Sequence, residues 1–489
     1  MTSSRGPPLR VATRCPVPCG ARRSDPDAEL SPDIVQRDVS HHNLARQLVA
    51  LAVPVAGTQL AQIALSTTDT AMMSLLGVGA LAGGSLAVVI FNQVRTMGVG
   101  LLVPMGNQIA AADTDGRRSA STVRGHVRAG FLVATLAGIV GAIAIIGVGA
   151  LLPYLGQSPG VVDAARSMLA ALAPGLVPCL WFQVLRQFTV GMRKPLALLW
   201  ITVGSVAVNA VLNLAFIYGW GPLPDLGLTG IGLSTSLVYL LTFGVFWWMV
   251  RRDAELSALL SVRFWRVERA DVVSLLKLGV PVSATYASEA GMFTVLALVM
   301  GAISAPALAA HGVVYQITYI VFQVAIGLSQ GSSIIVSRQV ALRHAHEAMN
   351  VMRLALTASA AVATAAGLVY LLFPDVVLAP FTSDADQPTI ALCKSLLMIG
   401  IVMQFVDAAQ NIGVGLLRGL GDTVSGFRLS LIGYWVVGVP AALILAFPLG
   451  LNAAGVWWGL TCGLATTAAL MLMRFVRSAQ RIAGSASPG

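Results

Sequence analysis

The chain has 489 residues, 56% of them hydrophobic and only 11% charged, with a mean hydropathy of +0.79. Soluble domains carry about 25% charged residues, so this composition excludes a water-covered globular surface. A net charge of +10 could suggest a nucleic-acid partner, but the basic residues alternate with apolar stretches instead of gathering into one patch.

In chain order, residues 1–46 come first, rich in Pro, Arg and Ser and without an apolar core of signal-peptide length. They read as a disordered cytoplasmic tail. Cys15 and Cys19 lie there, while Cys179, Cys393 and Cys462 are scattered further on with no histidines spaced to join them. Neither a metal-ligand cluster nor a disulfide framework follows from that spacing. Beyond the tail, Gly, Pro and charge clusters divide the chain into twelve apolar segments near 47–75, 81–110, 128–151, 163–190, 196–219, 229–250, 272–300, 306–336, 351–374, 389–417, 424–447 and 454–475. Segments of this length cross a hydrocarbon layer of about 30 Å. The predicted class is an all-α, polytopic membrane protein with twelve transmembrane helices.

The connections between segments alternate in charge. Those after segments 2, 4, 6, 8 and 10 hold Arg117, Arg118 and Arg124; Arg193 and Lys194; Arg251, Arg252, Arg263, Arg266 and Arg269; Arg338 and Arg343; and Arg418. The intervening loops have no Lys or Arg but include Asp225, Asp375, Asp384 and Asp386. Basic loops stay on the cytoplasmic side. The expectation is a multi-pass cell-membrane protein with both termini inside, partnered by the lipid bilayer and not by nucleic acid.

An internal repeat organises the segments. "LAVPVAGTQLAQIALSTTDTAMMSLLGVGALA" (51–82) aligns without a gap on "LGVPVSATYASEAGMFTVLALVMGAISAPALA" (278–309) at a shift of 227, with Pro54 on Pro281. Arg166 and Lys394, near the outer ends of segments 4 and 10, match at a shift of 228. Two halves result, 47–250 and 272–476, joined by a linker at 251–271 and followed by a tail at 477–489. Six spans per half give both halves the same orientation, related by an axis along the membrane normal. This is a pseudo-symmetric pair of six-helix bundles suited to alternating access.

Polar residues within the segments fall on shared helix faces, which recur every three, four or seven positions. Segment 1 carries Thr58, Gln62, Ser66 and Asp69; segment 5 carries Thr202, Ser205, Asn209 and Asn213; segment 7 has Tyr286 and Glu289. Segment 8 adds Gln316, Tyr319 and Gln323, and segment 10 adds Gln404, Asp407, Gln410 and Asn411. Hydrogen bonds worth about 0.6–2 kcal/mol join many membrane helices through Ser, Thr and Asn, which explains Thr58, Ser66, Thr202 and Ser205 as well as a cavity does. Carboxylates differ, because an Asp at a helix centre costs roughly 2.5–3.5 kcal/mol on insertion scales. Asp69, Glu289 and Asp407 are therefore the candidate ion-coupling residues. The repeat sharpens this: Gln62 stands opposite Glu289, so the fold does not require an acid at that level. Arg95, deep in segment 2, is expected to pair with Asp69 or to reach water with its long stem. His311 is expected to be a satisfied histidine near the outer membrane interface.

"TTDTAMMS" (67–74), "FQVLRQFTVGMRKP" (182–195), "NAVLNLAFIYG" (209–219), "SEAGMFTVLALV" (288–299), "LAAHGVV" (308–314) and "DAAQNIGVGLLRGLGDT" (407–423) together resemble the multidrug and toxic compound extrusion (MATE) family, in its NorM-like bacterial branch. The resemblance covers nearly everything after residue 46 and implies the MATE fold. It also implies export of small organic, often cationic or amphipathic compounds in exchange for inward H⁺ or Na⁺, with no further cofactor and no enzymatic step. By similarity, Asp69 matches the coupling aspartate of the first half, and Asn209 and Asn213 match polar positions lining that cavity. Glu289 and Asp407 match an acidic pair associated with a Na⁺ site. Met403 and Val190 depart from the pattern, standing where some relatives have a tyrosine and an acid. Gln62, Arg95, Tyr286, Gln316, Tyr319, Gln404, Gln410 and Asn411 complete the expected cavity lining. A monomer suffices for this design. Two other readings are a flippase of lipid-linked oligosaccharides, which needs several intramembrane cations for a pyrophosphate, and an exporter dedicated to one natural product.

Overall fold

The structure is a computed structural model that describes residues 41–114, 119–155, 158–195, 198–220, 224–262, 266–381 and 386–485. Cys15, Cys19, Arg117, Arg118, Arg263, Asp384 and residues 1–40 lie outside the described residues. Twelve helices are long and apolar enough to span a membrane: α1 (Leu44–Leu75), α2 (Val78–Ala112), α3 (Ala120–Tyr154), α4 (Pro159–Gly191), α5 (Leu198–Tyr218), α6 (Gly227–Arg252), α7 (Arg269–Ile303), α8 (Ala305–Ala341), α9 (His346–Leu372), α10 (Gln387–Gly419), α11 (Thr423–Ala446) and α12 (Asn452–Ile482). In hydrocarbon every backbone polar group needs an internal partner, and a continuous helix supplies one.

All twelve predicted segments are present, but most run longer than their apolar stretch. The helix containing α1 starts at His41, within the stretch expected to be an irregular tail, and the one containing α12 runs on to Ser485. Local chemistry sets several starts. Ser304, Asp386 and Asp422 each accept a backbone N–H of the helix that follows, from Ala307, Thr389 and Ser425. In the linker Asp253 does the same for the short helix Ala254–Leu259, accepting from Glu255 and Leu256. The Leu256 N–H holds the Asp253 carboxyl below the usual carboxylate range. Glu255, 2.6 Å away, pushes the Lys194 ammonium up.

Each half has its own apolar core, one around Phe91, Phe131, Phe188 and Phe246, the other around Leu296, Leu397, Tyr434 and Trp457. A third core, including Leu48, Val55, Val190, Leu328 and Ile334, lies across the seam between halves. The seam is built from α1 against α8 and α2 against α7, which the 227-residue shift interchanges. Matching positions make matching approaches. A Cβ on Gly327 would lie 2.7 Å from the Ala56 Cβ, and one on Gly100 would lie 2.7 Å from the Ser283 Cα. Small residues let membrane helices come this close. Thr58 donates to the Pro54 carbonyl at 2.7 Å and Thr285, 227 residues on, to the Pro281 carbonyl at 2.9 Å. Arg166 binds the Gly149 carbonyl in the last turns of α3, and its repeat mate Lys394 pairs with Asp375 just beyond α9.

Hydrogen bonds between the halves run from mid-span toward the end that carries the basic loops. Ser283 donates to the Met97 carbonyl at 2.9 Å, Gln108 to Ser274 at 2.9 Å, and Asn107 to Ser333 at 2.9 Å and to the Arg418 carbonyl at 3.1 Å. Arg338 closes the series on Asp113 at 2.5 Å. Among the described residues, no hydrogen bond joins the halves toward the opposite end, where Leu75 and Val78 are exposed. The seam is therefore closed at its basic-loop end.

Candidate functional site

Asp69 lies six residues before the end of α1, buried at 4% exposure. Asn213 of α5 donates to its Oδ1 at 2.8 Å and Thr235 of α6 donates to its Oδ2 at 2.9 Å. Asn213 also donates to Asn209 Oδ1 at 3.2 Å, and Asn209 to Thr235 Oγ1 at 3.4 Å. The four-residue spacing of Asn209 and Asn213 places both on the α5 face that meets α1 and α6. The Oδ1 of Asn213 is buried with no partner among the described residues, so one oxygen in this cluster is free to accept. Thr235 was not among the sequence candidates. Its signal was available in the "STS" of α6, but isolated hydroxyls in membrane helices are too common to stand out.

Arg95 does not pair with Asp69. It donates through Nε to Asn92 at 3.1 Å, one turn back on α2, and lies near Tyr239, Cys179 and Tyr319. Asp69 already has two neutral donors, so no cation is needed beside it. Thr58, Thr202 and Ser205 give their hydroxyls to backbone carbonyls of their own helices, so these bonds do not join one helix to another. Gln62 is half-buried and makes no side-chain hydrogen bond among the described residues.

In the second half, α7 places Glu289 about 21 Å from its Ile303 end, fourteen residues at roughly 1.5 Å each. Its carboxylate takes no hydrogen bond and no ion pair among the described residues, and it is near enough to Asp407 of α10 for the two charges to be felt. Asp407 is buried at 8% exposure and accepts from Asn411, one turn on, at 3.1 Å. Asn411 also donates to Gln410 Oε1 at 3.1 Å, and Gln410 to the Tyr434 hydroxyl of α11 at 2.7 Å. Gln404, one turn before Asp407, donates to Tyr370 of α9 at 3.2 Å. Of the sequence candidates on this helix, Asn411 and Gln410 join Asp407 in one chain of contacts and Gln404 turns to Tyr370; Tyr370 and Tyr434, from other helices, were not among the candidates.

An aromatic row runs along α8 beside these acids. Tyr315 lies 5.7 Å from Tyr319 and Tyr319 5.5 Å from Phe322, ring to ring, and Phe293 of α7 meets Tyr315 at 5.1 Å. Tyr286 and Gln316 are half-buried on the same two helices. The spacing of Tyr315, Tyr319 and Phe322 at i, i+4 and i+7 could have shown the row. His311 is not the satisfied histidine expected at an interface. It is buried between Tyr315 and Trp457, with Nδ1 unpartnered among the described residues. Met403 and Val190 are both buried apolar core residues. Sequence reading also missed Arg186, 1% exposed on α4, whose guanidinium is held by Gln59, Gln183 and Gln330 at 3.0, 3.4 and 3.4 Å.

Among the described residues no three His, Cys, Asp or Glu side chains converge. A cation at Glu289 and Asp407 would rest on two carboxylates and neutral oxygens, a donor set for a hard ion or a proton.

The MatE family model matches residues 54–215 and again 281–444, starting points 227 residues apart. The chain is 35% identical over 438 residues to a probable multidrug resistance protein NorM of Pseudomonas aeruginosa, covering 88% of each chain. It is 34% identical to one of Rhizobium meliloti, covering 93% of this chain and 97% of that one. Its fold matches that of a multidrug resistance MATE family transporter of the MOP superfamily in an outward-facing conformation, with a TM-score of 0.83 at 19% identity, over 90% of this chain and 96% of that one. A structure of MATE in complex with MaL6 matches with a TM-score of 0.80 at 19% identity, over 90% and 97%. Twelve membrane-spanning helices in two six-helix bundles, and a family model met once in each, make this chain a member of the MatE family of membrane transporters.

Proposed function

We propose that the chain is a secondary active multidrug exporter that releases organic, often cationic compounds in exchange for inward H⁺ or Na⁺. The observation that carries this reading is the pair Glu289 and Asp407: two carboxylates in mutual range, inside a membrane span, with a single side-chain donor between them. A carboxylate inside a membrane span beside a second carboxylate favours binding a proton or a cation. Whatever neutralises them, whether H⁺, Na⁺ or a cationic substrate, excludes its competitors, and that competition is enough to couple their movements. The aromatic row of Tyr315, Tyr319 and Phe322 offers a cation–π wall beside the acids. The curated relatives named for multidrug resistance agree with this substrate class.

In this reading the basic-loop end is cytoplasmic, both termini are inside the cell, and the protein acts as a monomer in the cell membrane. The halves 47–250 and 272–476 rock about the seam, which is closed toward the cytoplasm, so the conformation faces outward. Ion loading on Glu289, Asp407 and Asp69 displaces substrate to the outside; the loaded protein turns inward, releases the ion and takes up substrate again. A lipid-linked pyrophosphate fits less well. Arg186 is engaged by three glutamine carbonyls, leaving Arg95 alone against three acids.

The test is efflux of a fluorescent organic cation from proteoliposomes, with Na⁺ and pH gradients imposed separately. One gradient is expected to drive export, and the Glu289→Gln, Asp407→Asn double variant to lose it. Transport that ignores both gradients would overturn the antiport reading.

A further inference from the structure

Helix α11 is not a uniform α-helix. Between the α-helical stretches Thr423–Leu431 and Val439–Ala446, residues Ile432–Gly438 form a π-helical turn. Pro440 gives the local reason: a proline ring crowds the carbonyl four residues earlier and supplies no N–H. That carbonyl belongs to Val436, inside the widened turn. Packing against α12 fixes the turn's orientation. A Cβ on Gly463 would lie 2.6 Å from the Gly438 Cα, and one on Gly455 would lie 2.5 Å from the Leu445 carbonyl carbon. Such backbone-to-backbone contact leaves α11 no freedom to roll. π turns of this kind occur frequently at functional sites.

The turn reaches both sides of the acid pair. Tyr434, fully buried, accepts the Gln410 amide N–H at 2.7 Å. An amide that donates to Tyr434 must present its carbonyl on the other side, where Asn411 donates to it at 3.1 Å. The same Asn411 nitrogen donates to Asp407 Oδ1 at 3.1 Å. Next along the chain, Trp435 Nε1 donates at 2.9 Å to Ser288, the residue before Glu289. One seven-residue turn therefore holds the Asp407 side through Tyr434 and the Glu289 side through Trp435.

We propose that Tyr434 is a positioning residue of the second-half ion site: by orienting Gln410 it sets Asn411 against Asp407, and the π turn keeps that arrangement in register with Glu289. This rests on the reading of Glu289 and Asp407 as the coupling acids. Without the hydroxyl, the Gln410 amide can invert and Asn411 keeps only Asp407, through Oδ1 at 3.1 Å and the backbone carbonyl at 3.0 Å, so the link from α11 that orients Asn411 is lost.

The experiment uses the full chain in proteoliposomes and a fluorescent organic cation. Tyr434→Phe is expected to displace the half-saturating concentration of the driving ion about tenfold, the scale of a lost hydrogen bond next to a charged group, and to change the KM for the organic cation less than about twofold. Gln410→Met, which removes the whole amide at similar volume, should give the same displacement and keeps the test open if Tyr434→Phe folds poorly. Combined, the two should displace no further than either alone, because they break one chain of contacts. A purely structural tyrosine would lower yield, thermal stability and maximal rate while leaving the ion dependence in place, and that result overturns the proposal. If Glu289→Gln with Asp407→Asn retains gradient-driven export, the coupling reading itself fails. If that double variant is inactive and both Tyr434→Phe and Gln410→Met keep the wild-type ion dependence, only the positioning role fails.

Discussion

Asp69 and Glu289 sit on repeat-related helices, yet the protein treats them differently. Asp69 is held by Asn213 and Thr235, one neutral donor on each oxygen. Glu289 has no donor among the described residues, and the charge it feels is that of another acid, Asp407. Gln62, at the same repeat level as Glu289 in the first half, likewise has no side-chain hydrogen-bond partner among the described residues. That level of the helix thus leaves a polar group unpartnered in both halves, and only the second half places a charge there. A carboxylate with two donors can remain an anion at modest cost, whereas an unpartnered one beside a second carboxylate needs a proton or a cation. In the proposed exchange, the second half is therefore expected to hold the ion more tightly.

The largest effect is expected at the acids. Glu289→Gln combined with Asp407→Asn is expected to lower gradient-driven efflux by about 5–150-fold, the range of an ordinary coupling free energy. Asp69→Asn should lose less in the same assay, because its amide can still accept from Asn213. Efflux falling further in Asp69→Asn than in the double variant would reverse the assignment. Next in size, Thr235→Val keeps the shape but removes the donor to Asp69 Oδ2. It should cost about 1–3 kcal/mol of stability, read as a lower melting temperature in detergent, with the ion dependence of the second half unchanged.

Symmetry of the seam gives a third handle. Gly100→Val or Gly327→Val inserts atoms where the halves touch, and overpacking costs about 1–3 kcal/mol. Either change should shift the protein away from the state closed at the basic-loop end. The measurement is labelling of a cysteine introduced at Gln108, expected to rise about tenfold; equal labelling would show that the seam tolerates the bulk. The smallest effect lies outside both clusters. Asp253 has a depressed folded pKa, so its contribution to stability is present above the ordinary carboxylate range and fades as pH falls through the folded value. Lys194 has a raised one, so its contribution is present below the ordinary lysine value and is lost as pH rises through the folded value. Asp253→Asn should flatten the acid side of the melting-temperature profile slightly and leave efflux unchanged.

Most of the transmembrane plan was legible in the residues. Apolar length marked the twelve spans, the basic loops supplied an expected orientation, and the 227-residue shift marked two alike halves, while which helices meet across the seam came only from the structure. The candidate acids were legible because a charge in an oily run is costly wherever the helix ends up. What escaped was supplied by other helices. Thr235, Tyr370 and Tyr434 lie 166, 34 and 27 residues from Asp69, Gln404 and Asp407 in the chain, counted from their positions, and nothing in a single sequence links them. Arg95 was expected beside Asp69, but α2 turns it toward Asn92.

The sequence by itself determined that this chain lives in a membrane, in two alike halves, with three acids in need of a reason. Those properties follow from hydrophobicity and periodicity, which are local and additive along a chain. Tertiary structure alone decided which acid has donors and which has none, and which end of the seam is closed. It also decided that a π turn at Pro440 carries Tyr434 to Gln410. Hydrogen bonds act over about 3 Å, so partnership depends on how helices rotate and pack, and that is settled only when the bundle closes.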